Sequence, residues 1–412
     1  MHSVQVPLLP FNEFLRLDRH ERLLRVLEAL PAEPLLRALA RDQRRPGGSY
    51  APRVLWACLL AGIVYQIPCV AELRRHLASN PHLRLFCGLG SGAVPSPATF
   101  SRFLAQLTRH QPAVDALFTA TVRALAAYLP DLGQSVAVDS TDLHAWSQGH
   151  RRRPADPDAS WSAKGTKGPH RDRKEKYWWF GYKLHLLVDT SSELPLAFEV
   201  TTAKVADTTR LLPLLDQLPQ RLPTAALQTV LADAGYDSTA NCQGIVARRA
   251  VPVIPLNLGG EQAPPGITNA QGTPLGPRGE PLLYWGRDGG VTKWRCPAAL
   301  GKQACDRYTG AKGTRCSLSP YGLVLKLPLA QDWRRHTPVP RETKKWRRLY
   351  RRRTAVERVN GRLKGHLLLD DLRVRGKAKV TVRISLSLLT LLGAALSMAQ
   401  QQRWPDLRRL VA

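Results

Sequence analysis

The chain has 412 residues, of which 44% are hydrophobic, so it is long enough for about two or three domains and too apolar to be mostly disordered. Its 60 Lys and Arg residues outnumber 32 Asp and Glu residues, and a net charge of +28 repels itself in a compact fold unless a polyanion offsets it. Nucleic acid matches this excess best, because phosphate contacts release condensed counterions. Ribosome-associated proteins are usually much shorter, and a membrane-surface protein needs an amphipathic anchor, which does not stand out in the sequence.

Cysteine usage and hydropathy bear on where the protein works. The seven cysteines are odd in number and scattered, which is not typical of a disulfide framework. Residues 1–14 lack a charged segment followed by an apolar core, so we expect no secretory signal. The apolar run from Ile384 to Met398 is shorter than the ~20 residues that span a bilayer, and we expect a buried C-terminal helix there. The sequence therefore predicts a cytoplasmic, nucleoid-associated protein with no membrane partner.

Residues 1–130 predict an all-helical domain. Apolar residues recur at helical spacing through several segments, and Ser96 followed by Pro97 has the pattern of a helix start. Helices are expected at Leu15–Ala40 with a break near Pro31, at Ala51–Tyr65, at Val70–Leu77 and from Ser96 through Leu107. Two short helices joined by a loop, the second carrying Arg102 and Arg109, suit a helix-turn-helix-like DNA-binding domain. A plain helical dimerisation bundle is the alternative.

From Gln134 onward the pattern changes to short apolar strands that alternate with helices. Strands are expected at Ser135–Asp139, Trp178–Val188, Leu194–Val200, Leu227–Ala232 and Val251–Pro255, and helices at Asp207–Leu218 and Ser238–Arg248. The segment Gln148–Lys176 is rich in Arg, Lys, Pro, Ser and Gly, which predicts a flexible basic loop. The order of elements resembles a ribonuclease-H-like α/β fold, in which helices flank a central sheet.

Residues 256–340 interrupt this α/β pattern. Gly and Pro are dense from Gly259 to Pro281. Short strands are expected at Leu282–Trp285, Val291–Trp294 and Leu323–Leu327, so we interpret the segment as an inserted β-rich subdomain. The expected division is an N-terminal helical DNA-binding or dimerisation domain at 1–130, an α/β core at 131–255 and 341–400, the insertion at 256–340 and a C-terminal tail at 401–412.

Two aspartates occupy strand positions where a carboxylate needs a partner. Asp139 lies in an apolar run, where burial of a bare charge costs several kcal/mol, and a metal ion is one remedy. Asp233 ends another apolar strand, the place where α/β sheets carry their sites. Each residue alone fits a turn-capping aspartate about equally well. Asp142 would face the opposite side of the strand from Asp139, so we choose Asp139 as the candidate metal ligand.

A basic segment near the C-terminus carries the most specific pattern. Its four members are Tyr350, Arg353, Glu357 and Lys364. Their spacings of i, i+3, i+7 and i+14 stack on one stripe of a single helix, which we expect over Thr343–Lys364. Glu357 is the only acid in this helix, and we expect it to lack the i,i+4 ion pair of ordinary surface helices. A lone carboxylate among phosphate-binding cations indicates a metal ligand placed beside a DNA backbone.

These motifs resemble those of bacterial insertion-sequence DDE transposases of the Y-R-E-K type. The helix signature matches in full, and the segments around Asp139 and Asp233 resemble the first and second aspartate motifs of the family. Tyr182–His185 resembles its second strand, and the resemblance spans roughly residues 50–400. It implies that Asp139, Asp233 and Glu357 are the catalytic residues and metal ligands.

The resemblance further implies a DNA transposase that uses two Mg²⁺ ions, with Mn²⁺ as a substitute. One site would cut at the ends of the element and then join the freed 3′-OH to target DNA. The expected partners are double-stranded DNA, as terminal inverted repeats and as target, and a second copy of the chain in a homodimer. The residues expected to contact DNA are Tyr350, Arg353, Lys364, Arg347, Arg348, Arg351, Arg352, Arg358 and Arg362.

Rival functions remain open on the sequence alone. The same carboxylates suit a ribonuclease-H-like nuclease that cuts without joining. A transposase-derived protein that has lost activity and only binds DNA is a second rival. A generic basic RNA-binding protein is a third, and it does not explain the ordered helix stripe.

Two further residue groups carry alternatives. Cys296, Cys305 and Cys316, with His336 downstream, could form a zinc site, but spacings of nine and eleven residues lack a CxxC pair, so we expect reduced thiols. Trp285 and Trp294 could stack on an unpaired base. We expect both to pack in the core instead.

Overall fold

The architecture comes from a computed structural model that describes residues 21–42, 50–90, 92–165, 176–259, 268–309 and 315–408. The prediction of no secretory signal in residues 1–14 lies outside these ranges, as do parts of the expected basic loop, of the Gly- and Pro-rich segment and of the C-terminal tail. The described ranges include every predicted site residue.

The N-terminal part is helical, as the apolar spacing predicts. Its helices are α1 Glu21–Ala29, α2 Glu33–Arg41, α3 Pro52–Val64, α4 Val70–Ser79, α5 Pro81–Phe86, α6 Pro97–Arg109 and α7 Gln111–Ala126. The expected break near Pro31 is present between α1 and α2. Helix α6 begins at Pro97, with the Ser96 hydroxyl accepting a hydrogen bond from the N–H of Thr99 at 3.2 Å. The buried stripes of these helices belong to one hydrophobic core that continues into the sheet.

A mixed sheet follows, with six strands in the described part of the chain. The strands are β1 Ser135–His144, β2 Ser160–Lys164, β3 Tyr177–Asp189, β4 Pro195–Thr202, β5 Thr229–Leu231 and β6 Val251–Val253. Strand β3 is antiparallel to β1 and pairs on its other edge with β2 and then β4, whereas β5 and β6 are parallel to β1. Helices α8 Leu211–Arg221 and α9 Thr239–Ala247 connect the later strands. The predicted mixed α/β class is confirmed.

Strand β2 lies inside the segment that composition predicts to be a flexible loop. It pairs with the first residues of β3, with Trp161 opposite Phe180 and Lys164 opposite Tyr177. The rings of Trp161 and Phe180 have centroids 5.6 Å apart. The loop prediction is therefore wrong for these five residues, because a composition averaged over the whole segment hides a short strand stabilised by cross-strand pairs.

A second sheet lies in the segment predicted to be β-rich. Its strands are β7 Leu283–Asp288, β8 Val291–Arg295 and β9 Val324–Pro328, and the short helix α10 Asp306–Thr309 lies between β8 and β9. Trp294 is 4% exposed and packs in the core as expected, but Trp285 is 57% exposed. The core prediction is wrong for Trp285 because the β7–β8 register shifts between Tyr284 and Gly286, which takes Trp285 out of the regular ladder.

The helix predicted over Thr343–Lys364 is two helices. Helices α11 Lys344–Tyr350 and α12 Thr354–His366 are separated by a 3₁₀ turn at Arg351–Arg353. Side chains three residues apart eclipse in such a turn, and the Arg353 guanidinium accordingly lies 5.6 Å from the centroid of the Tyr350 ring. The single-helix prediction is therefore wrong, since three successive arginines and this cation–π contact favour the tighter turn. Helix α12 packs against β1 and β3.

The last helix, α13 Lys377–Gln400, is the buried C-terminal helix that the sequence predicts. Among the described residues it is the one helix long and apolar enough to span a membrane, but 89% of its most apolar window is buried inside the protein. It packs against α1, α7 and β4. Gly393 permits the close approach of α1, because a Cβ at that position would lie 2.9 Å from Leu30 Cγ.

Candidate active site

Two of the three predicted carboxylates lie at matching positions relative to the adjacent strands β1 and β5. In the parallel ladder between β1 and β5, Ala137 pairs with Leu231 as the last pair. Asp139 lies two residues beyond this pair within β1, and Asp233 lies two residues beyond it, past the end of β5. The two carboxylates interact: burial is the main cause of a raised pKa of Asp139, and the negative charge of Asp233 adds to the rise.

Asp139 is half-buried in β1, and one of its carboxylate oxygens accepts a hydrogen bond from the N–H of Ser140 at 2.8 Å. Burial raises the pKa of Asp139 to about 6. The Ser140 hydrogen bond opposes this rise, Asp233 adds to it, and the cations Arg353 and Lys164 oppose it. A carboxyl group with this pKa is ionised at neutral pH but unfavourably placed without a cation.

Asp233 lies two residues past the end of β5 and precedes a 3₁₀ turn at Ala234–Tyr236. Its carboxylate accepts a hydrogen bond from the N–H of Gly235 at 2.9 Å, so it caps the turn with one oxygen. Tyr236 is buried next to these carboxylates: burial and the charges of Asp207, Asp139 and Asp233 raise the pKa of its hydroxyl. The sequence motif contained Tyr236 but gave no sign that it faces both aspartates.

Glu357 lies in the first turn of α12, and its side chain is 48% exposed. Arg353 donates a hydrogen bond from Nη2 to Glu357 Oε1 at 2.6 Å. The expectation that Glu357 has no i,i+4 partner is therefore wrong, because the 3₁₀ turn places Arg353 one turn before it. Arg353 also interacts electrostatically with Asp139, so it is the one cation that acts on both the helix-borne carboxylate and this strand-borne carboxylate among the described contacts.

The three carboxylates do not form a ready metal site in this conformation. No group of three or more His, Cys, Asp or Glu side chains is close enough to hold a metal ion within the part of the chain that the structure describes. The structure brings Asp139 and Asp233 together, and it links Glu357 to them through Arg353. Two carboxylates that repel one another suit a divalent cation with oxygen ligands.

Lys364 and Asp142 form a separate cluster. Lys364 Nζ lies 3.7 Å from Asp142 Oδ1 and 3.4 Å from Asp370 Oδ1, and Lys164 Nζ lies 3.3 Å from Asp142 Oδ1. Burial alone would raise the pKa of Asp142, but the two ammonium groups outweigh it and lower the pKa. Asp142 is thus an ion-paired residue, held by Lys164 and Lys364.

The predicted DNA-contacting arginines fall into two groups. Arg348 and Arg351 are exposed and form no ion pair among the described residues, and Arg347 is exposed with a hydrogen bond to the Glu342 carbonyl. Arg352, Arg358 and Arg362 instead contact the turn between β3 and β4. Arg352 donates to Ser191 Oγ at 2.7 Å. Arg358 and Arg362 bind the carboxylate of Glu193, a buried residue that the sequence gave no reason to select.

Three other aspartates have structural roles. Asp189 accepts hydrogen bonds from the N–H groups of Ser191 and Ser192 in its own turn. Asp207 begins a 3₁₀ turn and pairs with Lys183 at 2.9 Å, and Asp237 accepts from the N–H of Asn257.

The zinc hypothesis has no support among the described residues, where no metal-holding group of three occurs. Cys296 is buried and Cys305 and Cys316 are half-buried as free thiols. His336 donates from Nδ1 to the Pro328 carbonyl at 3.2 Å.

Two family models match this chain. Residues 132–392 match the Transposase DDE domain, which is more than half of the chain, and residues 11–106 match the transposase domain DUF772. The chain belongs to the transposase DDE domain family. The family that the motifs indicate is therefore confirmed, and the DDE-domain match contains Asp139, Asp233 and Glu357.

No curated protein matches this DDE-domain chain. Among solved structures, the cryo-EM structure of a piggyBac transposase synaptic complex with hairpin DNA matches at 11% identity and a TM-score of 0.41. The match covers 96% of this chain and 80% of that chain. A similarity this low supports no conclusion about function.

Proposed function

We propose that this DDE-domain protein is a DNA transposase that cleaves at insertion-sequence ends and transfers the freed 3′-OH to target DNA, with Asp139, Asp233 and Glu357 as its catalytic residues. The observation that carries the proposal is the register of β1 and β5, because Asp139 and Asp233 each lie two residues beyond the last pair of this parallel ladder and interact electrostatically. Glu357 in the first turn of α12, the acid of the Tyr350, Arg353, Glu357 and Lys364 signature, is the third carboxylate of the proposal.

The residues present fit divalent metal ions. Asp139 and Asp233 offer the hard oxygen ligands that Mg²⁺ prefers, and a cation would remove the repulsion and burial penalty that raise the pKa of Asp139. Glu357 has an exposed side chain and completes the set in the proposal. Two bound Mg²⁺ ions, or Mn²⁺ in their place, would supply activation of a water or 3′-OH nucleophile and stabilisation of the leaving oxygen.

The side chains around the carboxylates have distinct roles in this proposal. Arg353 holds Glu357 in the metal-free state through the 2.6 Å hydrogen bond, and we infer that it turns toward a DNA phosphate when Glu357 binds metal. Tyr350 stacks against the Arg353 guanidinium and limits its movement. Lys364 binds Asp142 near the end of β1, so in this proposal it orients the end of that strand and does not orient Glu357. Lys364 is also a candidate for contact with DNA.

The proposed DNA surface is the exposed cationic side of α11, the 3₁₀ turn and α12. Arg347, Arg348 and Arg351 are exposed and suited to phosphate contacts, which give affinity without reading sequence. Arg352, Arg358 and Arg362 belong to the proposed surface as well, although each also contacts the turn between β3 and β4. The partner is double-stranded DNA, as terminal inverted repeats and as target.

The finer fold and assembly belong to the proposal. We infer a ribonuclease-H-like core, because its strands follow the order β4-β3-β1-β5-β6 with only β3 antiparallel to its neighbours β1 and β4. The domain division at residues 1–130, 131–255 with 341–400, 256–340 and 401–412 is proposed with it. Because a transposase acts on the two ends of its element, we infer that two copies of the chain bind DNA as a homodimer. We expect this complex at the nucleoid in the cytoplasm.

The experiment that tests the function uses duplex DNA from the inverted repeats that flank the gene. Incubation with Mg²⁺ and a target duplex should give nicked ends and joined products, and Glu357→Gln should give neither while still binding the duplex. Cleavage without joined products would favour the nuclease without strand transfer. Binding without cleavage would favour the inactive DNA-binding protein.

A further inference from the structure

The turn between β3 and β4 holds a buried carboxylate that the proposed function leaves without a role. Glu193 is 3% exposed, and its backbone φ of +58° lies in the left-handed region that residues other than glycine rarely adopt. The Asp189 carboxylate fixes this turn by accepting hydrogen bonds from the N–H groups of Gly133, Ser191 and Ser192. A strained residue in so well-fixed a turn indicates that its side chain is kept in a defined place.

Glu193 binds the helix that carries Glu357. Arg358 donates from Nε to Glu193 Oε1 at 2.8 Å, and Arg362 donates from Nη2 to Glu193 Oε2 at 2.9 Å. Arg362 also donates to the backbone carbonyl of Glu193 at 3.2 Å. Two arginines one turn apart on α12 thus bind both carboxylate oxygens, so the contact fixes the rotation of the helix and its position along its own axis.

The same turn also contacts the segments on either side of α12. Arg352, in the 3₁₀ turn before the helix, donates to Ser191 Oγ at 2.7 Å. Arg408, near the end of the described chain, lies 3.5 Å from Glu193 Oε1 and donates to the Ser191 carbonyl. Because Asp189 ties the turn to the start of β1, these contacts connect α12 to the strand that carries Asp139.

We propose that Glu193 is a positioning residue for Glu357: it holds Arg358, the next residue along α12, and so sets where the Glu357 carboxylate lies relative to Asp139 and Asp233. This inference rests on the proposed function, in which Glu357 is the third metal ligand. A helix rotation of about 10° moves a side-chain end ~5–6 Å from the axis by about 1 Å. A displacement of about 1 Å at a catalytic group lowers the rate by up to about 10²-fold.

Glu193→Gln tests this role, because it keeps the shape of the side chain and removes its charge. The measurements are Mn²⁺ binding to the full chain, from the EPR signal of free Mn²⁺, and the single-turnover rate and half-saturation DNA concentration for cleavage of inverted-repeat duplex. We expect the Mn²⁺ concentration for half-saturation to rise and the cleavage rate constant to fall by about 10- to 10²-fold. Duplex affinity without divalent metal should stay within about twofold or rise, because guanidinium groups are freed for phosphate.

Asp115→Asn is the matched control. It removes the carboxylate that binds the buried Arg221 at 2.7 Å, a pair that joins α7 to α8. We expect it to lower the thermal unfolding temperature without changing Mn²⁺ half-saturation. If Glu193→Gln does not fold, Arg358→Gln takes its place: the Arg358 side chain is half-exposed, Arg362 still neutralises Glu193, and the same shifts are expected at smaller size.

The positioning role is wrong if the variant that folds, Glu193→Gln or its substitute Arg358→Gln, has the Mn²⁺ half-saturation and the cleavage rate of wild type. An equal shift in Asp115→Asn would overturn it too, since the effect would then report stability alone. Glu357→Gln separates this failure from failure of the proposed function. If Glu357→Gln keeps wild-type Mn²⁺ binding and cleavage, the third-ligand assignment is wrong; if it loses both while the Glu193 and Arg358 variants keep both, only the positioning role fails.

Discussion

The strand-borne and helix-borne halves of the candidate site are built in different ways. Asp139 is held in the backbone ladder of β1 with β3, and Asp233 caps the turn just beyond β5, whose ladder with β1 ends two residues earlier. Glu357 is on a helix whose first turn follows a 3₁₀ turn, and side-chain contacts to Arg353 and Glu193 set its surroundings. The backbone ladder needs no particular side chains to hold its register, whereas the helix depends on a few charged contacts.

This difference means that the two strand-borne carboxylates and the helix-borne carboxylate should respond differently to a change of charge at the site. A ladder of backbone hydrogen bonds is insensitive to a change of charge, so the pair stays adjacent even though its members repel one another. A helix held by arginine–carboxylate contacts can shift when a competing charge, such as a phosphate or a metal ion, arrives. The helix-borne half is therefore the part of the site that we expect to respond to substrate.

The largest effect should come from the strand-borne half. Asp139→Asn removes a metal ligand while the ladder stays in place, so we expect the cleavage rate to fall by about 10³-fold or more, the equivalent of several kcal/mol of lost transition-state stabilisation. The measurement is single-turnover cleavage of inverted-repeat duplex. The metal-free protein should be at least as stable at pH 7, because the buried charge is gone. A rate within about tenfold of wild type would remove Asp139 from the site.

A smaller loss is expected when the helix-borne half is loosened. Arg353→Gln removes the 2.6 Å contact to Glu357 and the cation beside Asp139, so we expect cleavage to slow by about 10- to 10²-fold. Arg353→Lys keeps a positive charge but cannot reproduce the planar guanidinium contact with Tyr350, and it should recover only part of the rate. If Arg353→Lys has the full wild-type cleavage rate, only the positive charge at position 353 matters and the guanidinium contact with Tyr350 does not.

The pH dependence sharpens the same comparison. The pKa of Asp139 is raised from 3.8 to about 6 in the folded chain. Between these two pH values the folded state therefore keeps a proton on Asp139 that the unfolded state releases. Asp139 therefore lowers metal-free stability at pH 7, and that penalty disappears as the pH falls from about 6 to 3.8. Added Mg²⁺ should remove this penalty and move the titration of Asp139 to lower pH, because a bound cation favours the ionised carboxylate. Chemical denaturation at several pH values should show this gain of stability in wild type and not in Asp139→Asn.

The smallest effect belongs to the exposed cations outside both halves. Arg348→Gln and Arg351→Gln should each weaken duplex binding only a few-fold and reduce the slope of log affinity against log salt by about 1. Fluorescence anisotropy over a salt series measures both quantities. An unchanged salt slope in both variants would place the DNA elsewhere on the molecule.

The sequence predicts the parts of this molecule that depend on local pattern. The helix start at Ser96 and Pro97, the apolar strands that carry Asp139 and Asp233, and the buried C-terminal helix all follow from capping residues and hydrophobic spacing. Family membership follows from the helix signature. Each of these depends on neighbouring residues only.

The errors concern long-range contacts. Strand β2 is stable because it pairs with β3, and Glu193 binds arginines about 165 residues further along the chain. Trp285 is exposed because of a register shift between two strands. None of these is visible in a residue's own neighbourhood, because the chain has to fold before the partners meet.

Helix α13 has a consequence for how the protein is made. It packs against both the N-terminal helices and the sheet, and its close contact at Gly393 is with α1, the first helix described. During translation the faces of α1, α7 and β4 that pack against α13 therefore stay uncovered until α13 itself has been synthesised. A chain truncated before residue 377 would lack this cover, so we expect it to aggregate rather than to fold into a working fragment.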